Sequence, residues 1–529
     1  MARAFVGRLD EKGPAMKPRL FLLVFLTLWF TAPGQAHVGS PNVFYDGMVG
    51  PWRTRITIRV PGVVPGRAEI MVQVQSREPV SVAFTPLSSM TAISNAPPAE
   101  LAQPARGETN LYTGELWLMT DGAYSINVRI RGPSGEGSVQ IPVNSIATTQ
   151  LPLPPLLGQI LLGLGLFLFC GGIAIVAAAA GESALPPGVL PGKAEVRKYG
   201  KAAIISGVVL GLALVGGKKW WNSEEKDFRS RLREGGWPDL AATVRIEGSQ
   251  RILRLILGQT AFASYGPNAK LQLATDHGKL LHLFLVGQPS HQAFAHIHPV
   301  RQAGTTFEVA LPPLPEGDYE LFCDLTLESG LSSTATNSVH LPAIPIGVAA
   351  AGTAIYLEPD PDDSWAANSA APARENSGGE TICRLSGGTQ IIWKAHPPLR
   401  AQQDAGLQFR VLDQAGQPVR LEPYMGMMSH AAVLRSDGRV FSHLHPSGNF
   451  SMAAQMVFEG KMAKEINPAS GKGAVDHSMV DDWCGPGAGG GSSFISLPYE
   501  FPTPGDYRVW VQIKTEGQVK TAIFDTTVN

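Results

Sequence analysis

Stretches of alternating apolar and polar residues recur along most of the chain outside its middle. Residues 54–60 and 69–75 are examples, because every second side chain in each of them is apolar. Successive side chains of a strand point to opposite faces, so this period places the apolar residues on one face. The pattern therefore predicts a mainly β protein whose strands are half buried against a core.

One strand pair recurs near the end of three separate regions. Each copy opens with Gly-x-Tyr and continues through a polar turn into a second strand, and the tyrosines are Tyr124, Tyr319 and Tyr507. Repetition at the spacing of a domain predicts three related β-sandwich domains. We place these domains at residues 37–150, 240–342 and 383–529. The tyrosine is interpreted as a structural corner residue rather than a catalytic one.

Two apolar runs, residues 156–180 and 202–221, interrupt the β pattern. The first is long enough to cross a bilayer as a helix, and the second ends in Lys-Lys-Trp-Trp, which suits the headgroup region. Apart from the Cys170 thiol, residues 156–180 and 202–217 carry no ionisable side chain. Transport sites usually need such groups within the membrane, so we predict two anchor helices in the lipid bilayer.

The N-terminus has the features of a secretory signal peptide. A basic stretch precedes a short apolar run, and small residues follow as far as Ala36. We predict a signal peptide over residues 1–36, with Met16 as an alternative start. Cleavage after Ala36 makes His37 the mature N-terminus, and a cleavage site a few residues away is an equal alternative.

The order of these segments predicts the topology. Export of the first sandwich places the basic loop 181–201 in the cytoplasm, in agreement with the positive-inside rule. The juxtamembrane segment 222–239 and the other two sandwiches then lie outside. We therefore predict a protein of the bacterial inner (cytoplasmic) membrane whose large domains face the periplasm or exterior.

Two segments lack the strand pattern. Residues 343–382 are rich in Ala, Pro, Asp, Asn and Gly, and we predict a loosely ordered linker between the second and third sandwiches. Its Asp360, Asp362 and Asp363 are interpreted as a solvated acidic turn in preference to a calcium site. A Met- and Gly-rich loop over residues 451–493 is expected to be flexible.

Composition excludes several classes of function. The formal net charge is -1 and charged residues make up 16%, so electrostatic binding of nucleic acid is not expected. The four cysteines show no C-x-x-C spacing, which argues against a zinc ribbon. Cys383 and Cys484 could bridge in an oxidising compartment, but their spacing does not decide this. We find no nucleophile elbow, zincin motif, P-loop or dinucleotide fingerprint, and predict that the protein is not an enzyme.

The second and third sandwiches share a histidine pattern. The earlier copy has His282 and then Phe-Ala-His-Ile-His-Pro at residues 294–299. The later copy has His430 and then Phe-Ser-His-Leu-His-Pro at residues 441–446. Each copy therefore has one histidine on a first strand and two, separated by one residue, on the next. Residues i and i+2 of a strand share a face, so each His-x-His pair points in one direction.

Hairpin register brings the third histidine to the same face. In the later copy Asp437-Gly438 is a strong signal for a two-residue turn, and a turn there sets His430 opposite His445. In the earlier copy a longer loop sets His282 opposite either His296 or His298. Cross-strand partners have Cβ atoms about 5 Å apart, so three imidazoles converge in each domain.

Convergent imidazoles suit copper, zinc or nickel. The candidate ligands are His282, His296 and His298 in one domain and His430, His443 and His445 in the other. Met427 and Met428 are weaker candidates, and because thioethers favour Cu(I), copper is the preferred metal and zinc the alternative. His37 is a further weak candidate, and His277, His291 and Asp324 are additional ligand candidates of the second sandwich. Structural histidines and methionines used only for packing are the competing interpretation.

The motifs resemble a known group of bacterial secreted β-sandwich domains. The resemblance rests on residues 424–430, on His-Leu-His-Pro at 443–446, and on Pro-Gly-Asp-Tyr from Pro504. Such domains are similar to YtkA-like and FixH-like modules, a poorly characterised family, and more loosely to copper-handling envelope sandwiches. The resemblance implies an immunoglobulin-like fold and a role in metal binding. It extends to the first sandwich only through its final hairpin, and that sandwich lacks the His-x-His-Pro.

Together these features predict a fold with three immunoglobulin-like β-sandwich domains and two transmembrane α-helices. The function expected is that of a membrane-anchored envelope protein that binds a transition metal, in copper handling or delivery. The alternative is a non-catalytic scaffold of a membrane complex whose histidines are structural. Either function is compatible with a partner that is another envelope or membrane protein.

Overall fold

The structure is a computed structural model. It describes residues 42–529 except 77, 109, 184, 187, 235–238, 259–271, 345–358, 368–372, 376–378, 395–397 and 467–492. The predicted signal peptide, His37 and Cys484 lie outside the described residues. Within the described part the fold is mainly β, as predicted, with antiparallel sheets that pack in pairs and two long apolar helices.

The first sandwich precedes the apolar helices. One sheet has the order β1-β2-β3-β7-β6, with β1 Asn42–Val49, β2 Trp52–Arg59, β3 Gly66–Val74, β6 Gln103–Pro104 and β7 Leu111–Leu118. The other has the order β5-β4-β8-β9, with β4 Ser81–Ser88, β5 Glu100–Leu101, β8 Gly122–Gly132 and β9 Gly135–Ser145. Strand β2 alternates buried and half-buried residues, and its Ile56 shares a core with Ile126 of the facing sheet.

The second sandwich follows the helices. One sheet has the order β10-β11-β16-β15, with β10 Leu240–Glu247, β11 Gln250–Leu257, β15 Val300–Ala303 and β16 Thr306–Ala310. The other has the order β12-β17-β13-β14-β19, with β18 also paired to β17. These strands are β12 Leu273–Ala274, β13 His282–Gly287, β14 Phe294–Ile297, β17 Gly317–Leu327, β18 Ser332–Leu341 and β19 Ser364–Ala366.

The third sandwich ends the chain. One sheet has the order β20-β21-β22-β23-β26, with β20 Arg374–Glu375, β21 Thr381–Arg384, β22 Gln390–Trp393, β23 Leu407–Leu412 and β26 Phe494–Leu497. The other has the order β25-β24-β27-β28, with β24 Ser429–Arg435, β25 Phe441–Leu444, β27 Gly505–Thr515 and β28 Gln518–Val528. Cys383 is fully buried in the core between them.

The repeated tyrosine closes the same corner in each sandwich. The Tyr319 hydroxyl donates to the carbonyl of Pro315 at 3.0 Å, and the Tyr507 hydroxyl donates to the carbonyl of Thr503 at 2.7 Å. In the first sandwich the Tyr124 hydroxyl is 2.8 Å from the hydroxyl of Thr120. In every copy the partner lies four residues upstream, which is the arrangement of a tyrosine corner and the structural role predicted for this residue.

Two helices are long and apolar enough to cross a membrane. Helix α1 spans Pro155–Glu182 and helix α2 spans Lys193–Glu234, and only 6% of the most apolar window of each is buried. The sequence predicted a loop over 181–201 and a second span over 202–221. The helix instead begins eight residues before that loop ends and continues into the predicted juxtamembrane segment, because the flanking Lys, Glu, Arg and Ala residues are good helix formers.

The prediction of a flexible loop over 451–493 is wrong for its first part, which forms helix α3, Met452–Ile466. Its Met452 belongs to the core cluster of the first sandwich and its Phe458 to that of the second. Lys461 donates to three backbone carbonyls of the first sandwich. Apolar residues at helical spacing let this segment fold between two domains rather than remain in solvent.

The linker between the second and third sandwiches is more ordered than predicted. Its strand β19 pairs with β14, and the carboxylates of its acidic turn are partly buried. The Asp363 carboxylate is only 4% exposed and accepts hydrogen bonds from His298, while Lys279 pairs with Asp360 at 2.5 Å. Asp362 lies 3.5 Å from the ammonium of Lys514. Basic partners from both sandwiches explain why these carboxylates are held against the protein.

Candidate metal centre

Two hairpins position the predicted histidines. In the pair β24–β25, Ala431 lies opposite Leu444, so His430 and His445 occupy the next facing positions, as the turn at Asp437-Gly438 predicted. In the pair β13–β14, Leu283 lies opposite Ile297. Of the two predicted registers, the structure therefore has the one that faces His282 with His298.

Alternate residues of these strands serve two different cores. On β13, Leu283 and Leu285 enter the core of the second sandwich, while Phe284 and Val286 enter a separate apolar cluster. Strand β24 likewise divides its side chains between the core of the third sandwich and the same separate cluster. That separate cluster joins the outer faces of the two sandwiches, and in it Phe294 stacks on Trp510 with ring centres 4.6 Å apart. The hairpins of the two domains therefore face each other.

The facing hairpins merge the two predicted histidine patches into one. Next to the aromatic layer, Phe284 stacks on His296 at 4.1 Å and lies 5.0 Å from His443. Histidines of the two domains come as close as 5.2 Å between ring centres, for His277 and His445. We call the whole set the histidine cluster. Its members are His277, His282, His296, His298, His430, His443 and His445.

Two groups of three within the cluster have nitrogen atoms close enough to share an ion. The second-domain trio is His282, His296 and His298. The mixed trio is His277 from the second sandwich with His430 and His445 from the third. In each trio one ring nitrogen per residue lies within 4.8 Å of the others. His443, which the sequence grouped with His430 and His445, lies beside both trios.

Outer hydrogen bonds orient the second-domain trio. Nδ1 of His298 lies 2.9 Å from Asp363 Oδ1, and Nδ1 of His296 lies 3.0 Å from the amide oxygen of Gln512. Both acceptors leave Nε2 of the imidazole directed away from them. Carboxylate or amide oxygens in this position are typical of histidines that ligate a metal, because they fix the tautomer and the ring orientation.

The mixed trio has less support among the described residues. Both ring nitrogens of His430 are buried without a hydrogen-bond partner there, whereas a backbone contact with Phe450 raises the pKa of His445 against the effect of burial. His277 Nε2 is also unpartnered in the described chain and lies 3.5 Å from a carboxylate oxygen of Asp276. The ring of Tyr424 packs 4.8 Å from His430. A buried polar group without a partner costs about 1–3 kcal/mol, so this arrangement requires an explanation.

Burial disfavours the charged form of five histidines of the cluster. Removal from water lowers the pKa of four of its histidines well below the ordinary value, and the neighbouring imidazoles lower it further. These four are His282, His296, His430 and His445. Burial also lowers the pKa of His277, against an opposing effect of Asp276. A neutral imidazole is the form that binds a metal ion.

His277 is placed by a tight turn that the third sandwich repeats. His277 and Gly278 both have positive φ, 52° and 80°, as do Met425 and Gly426, at 48° and 73°. Each turn ends four residues before the first histidine of its hairpin, so His277 and Met425 occupy equivalent positions. A two-residue turn with positive φ at both positions favours glycine at the second, and His-Gly and Met-Gly are its signals in the sequence.

Other weaker candidates are placed elsewhere or differently. Met427 is fully buried in the cluster of the first sandwich with Phe450 and Met452, and Met428 packs against the core of the third sandwich. His291 lies near Gln288 at 3.3 Å. Asp324 lies 3.4 Å from His443, so it contacts the histidine cluster without belonging to either trio.

Sequence reasoning missed the convergence of the two hairpins. It also missed Gln512 and Asp363 as partners of the imidazoles. One signal was available: residues 282–287 and 429–434 are buried throughout and contain almost no polar side chain apart from histidine and serine. A continuous run of this kind indicates a strand covered on both faces rather than one exposed to water.

One domain-family model matches part of the chain. Residues 384–529 match the model of a family described as "Domain of unknown function (DUF8832)". No curated protein matches. The resemblance to YtkA-like and FixH-like modules remains a prediction.

Solved structures that the chain resembles have very low sequence identity. A tetra-tandem repeat from the extending region of a large adhesion protein is 8% identical, with 89% of this chain and 72% of that chain covered and a TM-score of 0.14. Salmonella alpha-2-macroglobulin reacted with methylamine is 9% identical, with 94% and 24% covered and a TM-score of 0.17. A putative membrane-anchored protein from Corynebacterium diphtheriae is 8% identical, with 92% and 95% covered and a TM-score of 0.12. Likeness at this level does not bear on function.

Proposed function

We propose that the protein is a membrane-anchored envelope protein that binds a transition metal in the histidine cluster between its second and third sandwiches. The observation that carries the proposal is the pair of imidazoles of His430 and His445. The nitrogens of His430 are buried without a hydrogen-bond partner among the described residues, and the ring of His445, which has a backbone contact with Phe450, lies 5.0 Å away within the same group of imidazoles. A bound cation would satisfy these lone pairs and recover the cost of burying them.

The donor set favours copper over zinc. The trios offer only imidazole nitrogens, and Cu(II) binds such sites more tightly than other divalent ions of the first row. The thioethers of Met427 and Met428 do not support a preference for Cu(I), because both side chains pack with apolar cores. Copper handling or delivery is the role that fits such a site. The predicted N-terminal signal, and the basic residues Lys193, Arg197, Lys198 and Lys201 at the start of helix α2, support a periplasmic orientation on the inner membrane.

Metal analysis of the full-length chain in detergent tests the proposal. The protein is exposed to Cu(II) or Zn(II), separated from free ions, and its metal content is measured by mass spectrometry. We expect tight retention by the wild type and at least 100-fold weaker binding at the mixed trio in a His430→Asn, His445→Asn double variant. His340→Asn is the matched control, because His340 is 66% exposed and pairs with Asp318 outside the cluster.

The full chain is needed because the mixed trio draws on two sandwiches. If the wild type retains neither ion, the cluster is structural. The protein is then better described as a scaffold whose second and third domains are locked together through their facing hairpins.

A further inference from the structure

The histidine cluster contains more ligands than one ion can use. Structural zinc sites and most sites of similar ions take four protein ligands, whereas seven imidazoles meet here. Ring centres within each trio lie 4.9–5.5 Å apart. The pairs that join one trio to the other are longer, 6.1 Å for His277 with His282 and 6.4 Å for His296 with His430. The imidazoles therefore fall into two groups rather than one.

Each group has the dimensions of a separate site. In the second-domain trio, His282 Nδ1 and His296 Nε2 are 3.2 Å apart. Two nitrogens that bind one ion at about 2.05 Å with a tetrahedral angle are about 3.3 Å apart. His298 completes this trio with an Nε2 that has no partner among the described residues. The mixed trio offers the unpartnered nitrogens of His430 together with one nitrogen each of His445 and His277.

His443 stands between the two groups. Its ring centre lies 4.5 Å from His445 and 5.6 Å from His430 in the mixed trio. It lies 5.3 Å from His296 and 5.5 Å from His282 in the other. Its Nε2 has no partner in the described chain, while Nδ1 faces Asp324 at 3.4 Å. His443 thus offers one nitrogen as a fourth ligand at the boundary of the two sites.

Carboxylates around the cluster match the charge of more than one cation. Asp363 contacts His298, Asp276 lies beside His277, and Asp324 lies beside His443. Each of the two trios and the histidine between them is therefore next to its own aspartate. Outer carboxylates of this kind raise the basicity of a ligating imidazole and offset the charge of the ion.

We propose that the histidine cluster is a two-metal centre. One transition-metal ion of the kind that imidazole ligates, such as Cu(II) or Zn(II), binds at each trio, and His443 lies between the two ions. This inference rests on the proposed function, because both require metal in the cluster. The second-domain trio, oriented by Asp363 and Gln512, is the tighter site. The mixed trio, in which His430 has no outer hydrogen bond among the described residues, is the weaker and faster-exchanging one.

Stoichiometry of the full-length chain in detergent tests the inference, with Cu(II) and Zn(II) as the probes. We expect two ions per wild-type chain and per His340→Asn chain. A His430→Asn, His445→Asn variant should retain one ion, and so should a His296→Asn, His298→Asn variant. The variant with all four changes should retain none. Circular dichroism of each metal-free variant checks that it is folded.

The possible results separate the two proposals. One ion per wild-type chain, lost completely in either double variant, would show a single shared site and overturn the two-metal centre while leaving metal binding intact. No ion in the wild type removes the proposed function itself. If a double variant fails to fold, electron paramagnetic resonance of the wild type decides. The signal per Cu(II) should fall as the second ion binds beside the first, and a constant signal overturns the inference.

Discussion

The hairpins β13–β14 and β24–β25 carry the same histidine pattern in the same register, yet their imidazoles are held differently. In the second sandwich His296 and His298 are anchored by Gln512 and Asp363, which belong to β27 and to the linker. In the third sandwich His430 has no hydrogen-bond partner among the described residues. The same local motif therefore gives one set of oriented ligands and one set of unsatisfied ones. What packs against the hairpin decides the difference.

The largest effect is expected from a substitution that breaks the contact between the two hairpins. Trp510→Ala removes a fully buried ring stacked on Phe294, and such truncations cost about 3–5 kcal/mol. Because the mixed trio draws on both sandwiches, we expect its metal affinity to fall far more than that of the second-domain trio. Metal titration and thermal unfolding in detergent measure both effects. Trp117→Ala, at a side chain that is 56% exposed, is the matched control and should change neither. Equal loss at both trios would contradict the comparison.

Opposite changes in stability are expected when one histidine of each hairpin becomes leucine. In the metal-free protein His430→Leu removes unpartnered buried nitrogens, so the free energy of unfolding should rise by about 1–3 kcal/mol. His296→Leu leaves the amide oxygen of Gln512 and Nδ1 of His282 without their partner, so the same quantity should fall by about 1–3 kcal/mol. Denaturant unfolding of the two variants measures this. A loss of stability in both would mean that His430 has a partner that satisfies it.

A smaller effect is expected from the carboxylate behind the second-domain trio. Asp363→Asn removes the charge that contacts His298, and loss of such an outer partner typically weakens metal binding by about 10–100-fold. The mixed trio should be unaffected. Competition titration with a metal-binding dye measures the affinity of each site. Asp318→Asn, which alters the exposed pair with His340, is the control. An unchanged affinity in Asp363→Asn would show that the hydrogen bond does not support a ligand.

The smallest effect is expected at the tyrosine corner, which all three sandwiches share. Tyr319→Phe and Tyr507→Phe each delete one hydrogen bond to a backbone carbonyl, and each should lower the stability of its domain by about 0.5–1.5 kcal/mol. Metal content should not change in either variant, because the corner lies outside the histidine cluster. Thermal unfolding and metal analysis of the same samples check both statements. A loss of metal with either substitution would show that the corner also shapes the metal centre.

Much of the local structure could be predicted from the chain because it depends on near neighbours. Alternation predicted the strands, Gly-x-Tyr predicted the corner, and Asp437-Gly438 predicted a register that sets His430 opposite His445. Long apolar runs predicted both helices, although polar residues on both sides of the second run extend its helix to Lys193–Glu234. In each case the period or the turn chemistry acts over a few residues, so the sequence is sufficient.

The composition of the candidate centre was decided by tertiary structure. Sequence alone determined that each hairpin presents three histidines on one face, and it could not determine what that face meets. Apolar side chains far apart in the sequence, such as Phe294 and Trp510, pack the two faces together, and Asp363 and His277 reach the cluster from a linker and a turn. Packing between domains depends on the fit of whole surfaces, for which short-range patterns carry no signal. Two predicted sites of three histidines therefore became one cluster of seven.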